Sequence, residues 1–227
     1  MKLFMYSYLE KYRKYRLLSI LLLFCIIGLV LSPYIDIPIA AYPFNSSINR
    51  FYGQDALWCL FLYYSIPYIS YIMIASPILF LVFRLMKYKK IKSNLMVFIL
   101  IYYLSFAIGP GLLVNGIFKN YWGRARPIQV IRDHQEYSKF WQRQPNKPDN
   151  NSFPSGHASV AFFVGVPLLI VGRRNYGLLL SCGFGGLIGF VRILQGGHFL
   201  SDVIMAFVIV WFSAELINYG IRRYVRK

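Results

Sequence analysis

Acidic residues are scarce in this chain. Eight Asp and Glu stand against 25 Lys and Arg in 227 residues, a formal net charge of +17. Histidine and cysteine are sparser still, with three of each. Cys25, Cys59 and Cys182 lie in or beside separate apolar runs. Their spacing excludes a zinc site, and packing as small apolar groups is expected. No free carboxylates cluster where a hard metal ion could sit, so neither metal nor cofactor is expected. Repeats of fixed period, low-complexity tracts and interdomain linkers are also missing, which leaves a single domain over residues 1–227.

Apolar residues are what the chain has in excess. It is 57% hydrophobic with a mean hydropathy of +0.49, more apolar than soluble domains of this length. In a soluble protein the positive charge would suggest nucleic acid. Here it alternates with apolar runs, as the positive-inside rule requires of cytoplasmic loops, so nucleic-acid binding is excluded. The basic clusters are Lys2, Lys11, Arg13, Lys14 and Arg16; Arg84–Lys92; Arg173 and Arg174; and Arg222–Lys227. These flanks are expected to contact anionic lipid head groups.

The fold class expected is all-α and polytopic, with six membrane spans at about 17–34, 57–83, 95–115, 156–171, 177–194 and 199–219. The first span is expected to stay uncleaved, because Ser32-Pro33-Tyr34 is a poor small-residue cleavage site. Before it, residues 1–16 form a basic interfacial segment with apolar Met5, Leu9 and Tyr12. Six spans put both termini in the cytoplasm and segments 35–56, 116–155 and 195–198 on the other side. Gly183, Gly185, Gly186 and Gly189 predict close helix packing.

Three motifs fall on that outer side. In Arg192-x5-His198-x3-Asp202 the histidine and acid are four apart and share a helical face, so the carboxylate can fix the ring tautomer. Pro154-Ser155-Gly156-His157 precedes a span, where free backbone N–H groups can cradle an anion. Lys119, Arg124, Arg126 and Arg192 supply fixed cations of the kind that stabilise a phosphoryl transition state. Arg132, Lys139, Arg143 and Lys147 in the outer loop are read instead as interfacial charge.

The ordered set Lys119-x6-Arg126-Pro127, Pro154-Ser155-Gly156-His157 and Arg192-x5-His198-x3-Asp202 resembles the type 2 phosphatidic acid phosphatase (PAP2) superfamily. The motifs cover 119–202, and the expected helix layout extends the likeness over nearly the whole chain. By position, the resemblance implies that His198 is the nucleophile of a phosphohistidine intermediate and that Asp202 orients it. His157 would protonate the leaving oxygen and then activate water. Lys119, Arg126, Arg192 and the backbone at Ser155 and Gly156 would hold the phosphate. Arg124 would reach a second phosphate or a sugar. One position departs: Val191 stands where the family motif opens with Ser, and Gln195 or the backbone at Gly196 and Gly197 would have to replace that contact.

Within the family, Gly109–Arg124, Gln195–Phe199 and the aromatic loop Asp36–Tyr52 are most similar to bacterial lipid A phosphatases, above all those acting at the 4′ position. The expected enzyme removes a phosphate from a membrane lipid at the periplasmic face of the bacterial inner membrane. The alternatives are undecaprenyl pyrophosphate or phosphatidylglycerol phosphate as substrate. Vanadate-dependent haloperoxidases share the motif pattern but are soluble, and the apolar spans exclude them. A lipid-binding protein with a dead site would explain only the substitution at Val191.

Overall fold

The computed structural model describes residues 2–88, 93–145, 147 and 150–225, with side chains from Tyr15 onward. Helices dominate. α1 (Lys2–Ala41) is followed by a small antiparallel hairpin, β1 (Phe44–Asn45) and β2 (Arg50–Phe51), and by the short helix α2 (Tyr52–Asp55). Then come α3 (Leu57–Tyr88) and α4 (Ser93–Tyr121), the latter widened into a π-helix over Ala107–Phe118. Short α5 (Pro127–Ile131) lies in the loop that follows. α6 (Gly156–Phe163), α7 (Val166–Ile170), α8 (Arg174–Leu194) and α9 (Leu200–Val225) complete the chain.

Five of these helices are long and apolar enough to cross a membrane: Tyr15–Ala41 of α1, together with α3, α4, α8 and α9. The segment expected as the fourth span is instead two short helices, α6 and α7, and nearly all of it is buried within the bundle. The break falls at Gly165 and Pro167. A side chain at Gly165 would stand 2.0 Å from the Gly177 carbonyl oxygen, so only glycine lets this turn press against α8. Proline at the second position of α7 suits a fresh helix start.

The main core packs Phe163, Val166, Leu178, Phe207 and Trp211 between α6, α7, α8 and α9, with Tyr102 of α4 against it. Gly185 meets the Phe162 ring and Gly189 meets Val203, as close packing requires, while Gly183 and Gly186 face open space. The three cysteines are free. Cys59 is buried, and Cys25 and Cys182 pack on the core.

The bundle has two polar ends. Tyr15, Arg174 and Arg222 share one of them: the Arg174 guanidinium lies 4.1 Å from the Tyr15 ring centroid, and Arg222 donates to the Ile170 carbonyl. Arg174, expected as a head-group contact, is buried and paired with Glu215 through two 2.6 Å hydrogen bonds. Lys89, Lys90, Lys92, Arg226, Lys227 and the side chains of the 1–14 segment lie outside the described residues. The three motifs gather at the opposite end.

Candidate active site

The loop after α4 carries the first motif, and aromatic packing gives it its shape. Phe153, buried under the loop, sits against Trp122, Phe118 and Phe140 at ring separations of 4.9, 5.9 and 6.3 Å. The Trp122 indole N–H donates to the Phe140 carbonyl at 2.7 Å. Gly123 adopts a φ of +71° and has the Gln144 carbonyl oxygen 1.9 Å from where a Cβ would be, so glycine is required at that turn. Two backbone bonds then tie the motifs together. Ser152 N–H donates to the Arg124 carbonyl at 3.0 Å, and Ile128 N–H to the Gly196 carbonyl at 3.0 Å.

His198 lies at the entry to α9, 1% exposed. Its Nδ1 is 2.6 Å from the Ser152 carbonyl oxygen and 3.8 Å from Asp202 Oδ2. A carbonyl can only accept, so Nδ1 carries the hydrogen and Nε2 is left with a free lone pair. Asp202 therefore orients the ring at one remove. Its Oδ2 accepts from the Ser152 hydroxyl at 2.6 Å and from Phe199 N–H at 2.9 Å, the second being a helix-capping contact. Burial pushes the His198 ring down to about 4, with Asp202 opposing and Arg192 adding to the shift. At neutral pH the ring is uncharged.

Arg124 stands behind this pair, fully buried. The expected contact to a second phosphate or sugar does not occur, because its guanidinium is enclosed. It pairs with Asp202, donates to Asp36 Oδ2 at 2.9 Å and to Ser201 Oγ at 2.8 Å, and its Nε donates to the Ser138 carbonyl at 2.9 Å. Burial alone would lower its pKa. Asp202 and then Asp36 more than offset this, and the group is held above its ordinary value.

The other cations are arranged differently. Lys119, Arg126 and Arg192 lie close enough to repel one another, and among the described residues no carboxylate lies within ion-pair distance of them. Arg126 is held by Asn151, with Nε at 3.0 Å from Oδ1. Arg192 donates to Gln195 Oε1 at 2.5 Å, lies 4.7 Å from the Tyr63 ring centroid, and leaves its buried Nε without a partner. Gly197 permits this, since a Cβ there would be 2.2 Å from the Arg192 guanidinium. Gln195 thus supports Arg192 as well as lining the cleft. Val191 is buried in the core and offers no polar group.

α6 begins beside these cations. Ser155 caps the helix, its hydroxyl accepting from Ala158 N–H at 3.4 Å. The Ser155 N–H, expected to face an anion, is already bonded to the Asp202 carbonyl at 3.2 Å. The first-turn N–H groups of Gly156 and His157 have no upstream carbonyl within the helix and are the ones available. A side chain at Gly156 would meet Asn115 Oδ1 at 2.5 Å and Lys119 Nζ at 3.3 Å, so its absence lets the lysine reach the helix start. The His157 ring stacks on Tyr63, centroids 4.5 Å apart and 18° from parallel. Tyr63 therefore touches both His157 and Arg192. Nothing in its sequence setting marked it, nor the backbone of Ser152.

A cleft of about 680 Å³ opens over Arg126, Arg192, Gln195 and Gly197, with Tyr63 on one wall and Arg50 and Gln54 of the hairpin and α2 on another. The hairpin is fixed there by close approach. Gly196, with φ of +65°, lets the Phe51 ring pack where a Cβ would be 2.7 Å away. An uncharged imidazole with a free Nε2, three under-paired cations and two free helix N–H groups are the groups with which a tetrahedral anion could be held.

The chain is similar to known proteins. A relative from Francisella tularensis subsp. novicida (strain U112), named lipid A 4′-phosphatase, is 33% identical over 202 residues, 86% of this chain and 89% of its own. Two more proteins of that name, from Rhizobium leguminosarum and Rhizobium etli, are 33% and 34% identical over 115 residues, 48% of this chain and a little under half of theirs. No solved structure matches the chain. Residues 94–226, which carry all three motifs, match the PAP2 superfamily, and the protein is a member of that family of phosphatases, embedded in membrane by several apolar helices.

Proposed function

We propose that this enzyme removes the 4′-phosphate of lipid A at the periplasmic face of the bacterial inner membrane, through a phosphohistidine on His198. The observation that carries the reading is the 2.6 Å contact from His198 Nδ1 to the Ser152 carbonyl, which leaves Nε2 free beside three under-paired cations. In the first step the Nε2 lone pair forms a bond to phosphorus as the bond from phosphorus to the sugar oxygen breaks. That oxygen takes a proton from His157. A phosphate bound among Arg192, Lys119 and Arg126 would set its negative charge beside the ring, which favours the protonated form. In the second step His157 takes a proton from water, the water oxygen attacks phosphorus, and the bond from phosphorus to Nε2 breaks. Lys119, Arg126, Arg192 and the N–H groups of Gly156 and His157 hold the equatorial oxygens throughout.

Six crossings with both termini in the cytoplasm fit the charge pattern. Arg16, Arg84, Lys87, Arg173, Arg222 and Arg223 all lie toward the end away from the motifs, where they can meet anionic lipid. α6 and α7 would then complete the fourth crossing inside the bundle. The name that all three relatives share favours lipid A over undecaprenyl pyrophosphate and phosphatidylglycerol phosphate. The test is phosphate release by the detergent-purified protein, with a chelator present, from a panel of these lipids and phosphatidic acid, using mass spectrometry to locate the lost phosphate. Preference for bisphosphorylated lipid A with loss at 4′ is expected. Preference for another lipid would overturn the substrate, and loss at position 1 would overturn the regiochemistry.

A further inference from the structure

Asp36 lies near the C-terminal end of the apolar stretch of α1, five residues before Ala41, and is fully buried. It takes part in none of the three motifs, yet every polar contact it makes leads to them. Its Oδ2 accepts from Arg124 at 2.9 Å, from the Ser201 hydroxyl at 2.5 Å and from the Tyr137 hydroxyl at 3.2 Å, and its Oδ1 accepts from Ser201 N–H at 3.1 Å. Burial and then Asp36 push Tyr137 up to about 12, so that hydroxyl stays protonated and donates. Arg124 in turn pairs with Asp202, Asp202 holds the Ser152 hydroxyl, and the Ser152 carbonyl takes the Nδ1 hydrogen of His198.

We infer that Asp36 is a positioning residue for catalysis: by sharing Arg124 with Asp202 it fixes the Ser152 carbonyl against His198 and keeps the buried cluster behind that ring net negative. The inference rests on the proposed role of His198. Two carboxylates and one guanidinium leave one negative charge among groups with no exposed surface. Such a cluster is costly to bury, and well-packed apolar groups are often as stabilising, so stability alone gives no reason for the second carboxylate. Chemistry does. When Nε2 takes the phosphoryl group while Nδ1 keeps its hydrogen, the ring becomes cationic. The charges facing it from other elements are Arg192 on α8, Arg126 and Lys119 at the first motif, and titratable His157 on α6; all the cations oppose that state. Asp202, on α9, favours it, but Arg124 would cancel Asp202 were Asp36 not there to take part of the guanidinium's charge. Asp36 therefore acts on the covalent step and leaves phosphate capture to the cations of the cleft.

Asp36→Asn, which keeps shape and acceptor oxygen but removes the charge, tests this on whichever lipid of the panel is turned over fastest. kcat per folded molecule should fall at least tenfold with KM within about twofold of wild type, and Asp36→Glu should recover part of the loss. A variant that loses thermal stability yet keeps its kcat would overturn the inference and make Asp36 a structural tie only. So would a kcat loss matched by a rise in KM. His198→Asn, run beside it, separates the two claims. If His198→Asn is active, the nucleophile assignment fails; if it is inactive and Asp36→Asn turns over normally, only the positioning role fails.

Discussion

Arg124 and Arg126 stand two residues apart and meet opposite surroundings. Arg124 has two carboxylates, two serine oxygens and a tyrosine around it, and those carboxylates hold its pKa above the ordinary value. Arg126 has one asparagine, and burial pulls it below the ordinary value, with Tyr63 and then Asp202 only partly compensating. The same side chain is a structural cation where its partners are built into the fold, and where they are missing it is left under-paired, as the proposed anion receptor requires. An under-paired, half-buried guanidinium is the mark of a site that waits for an anion.

Substitutions should separate the two. Arg124→Met would strand two buried carboxylates, and breaking such a pair costs about 3–5 kcal/mol. Little folded protein should be recovered, read as a large fall in the unfolding midpoint and in the monodisperse fraction in detergent. Arg126→Ala should fold like wild type but lose about a hundredfold or more in kcat/KM, as expected for a cation lost from a charged transition state. Equal losses of folding in the two variants would erase the distinction.

Acid should act on the same network. His198 titrates near 6.5 when unfolded and near 4 when folded. Between those values the unfolded chain binds more protons, so stability is complete above about 6.5 and falls as pH drops toward 4. The unfolding midpoint should follow that slope in wild type and lose part of it in His198→Asn. The smallest effect belongs to charge on the surface. Lys139 lies over the Trp141 ring at 5.4 Å in the outer loop, and Lys139→Ala should shift stability by no more than about 0.5 kcal/mol and leave turnover unchanged.

The candidate site was legible in the sequence because its members are charged or titratable residues at fixed spacing in a chain with few histidines and few acids. His157, His198, Lys119, Arg126 and Arg192 meet at one end of the bundle as that spacing implies. Arg124 was legible as a cation but not in its role, since the partner that encloses it, Asp36, is 88 residues away. A signal did exist: an acid at the end of an apolar span is costly and calls for a partner. Ser152 left none, because it acts on His198 through a backbone carbonyl that every residue has. The long spans were legible from hydropathy. The break of the 156–171 segment into two short helices was not, because the close approach of Gly165 to the Gly177 carbonyl is a tertiary contact that an apolar run does not reveal.

The most direct test of the account is phosphate release by His198→Asn protein whose size-exclusion profile and unfolding midpoint show it to be folded. The account predicts no release from lipid A above the uncatalysed background, while wild type at the same concentration completes the reaction. Turnover by the folded variant at a rate near wild type would contradict it and place the nucleophile elsewhere.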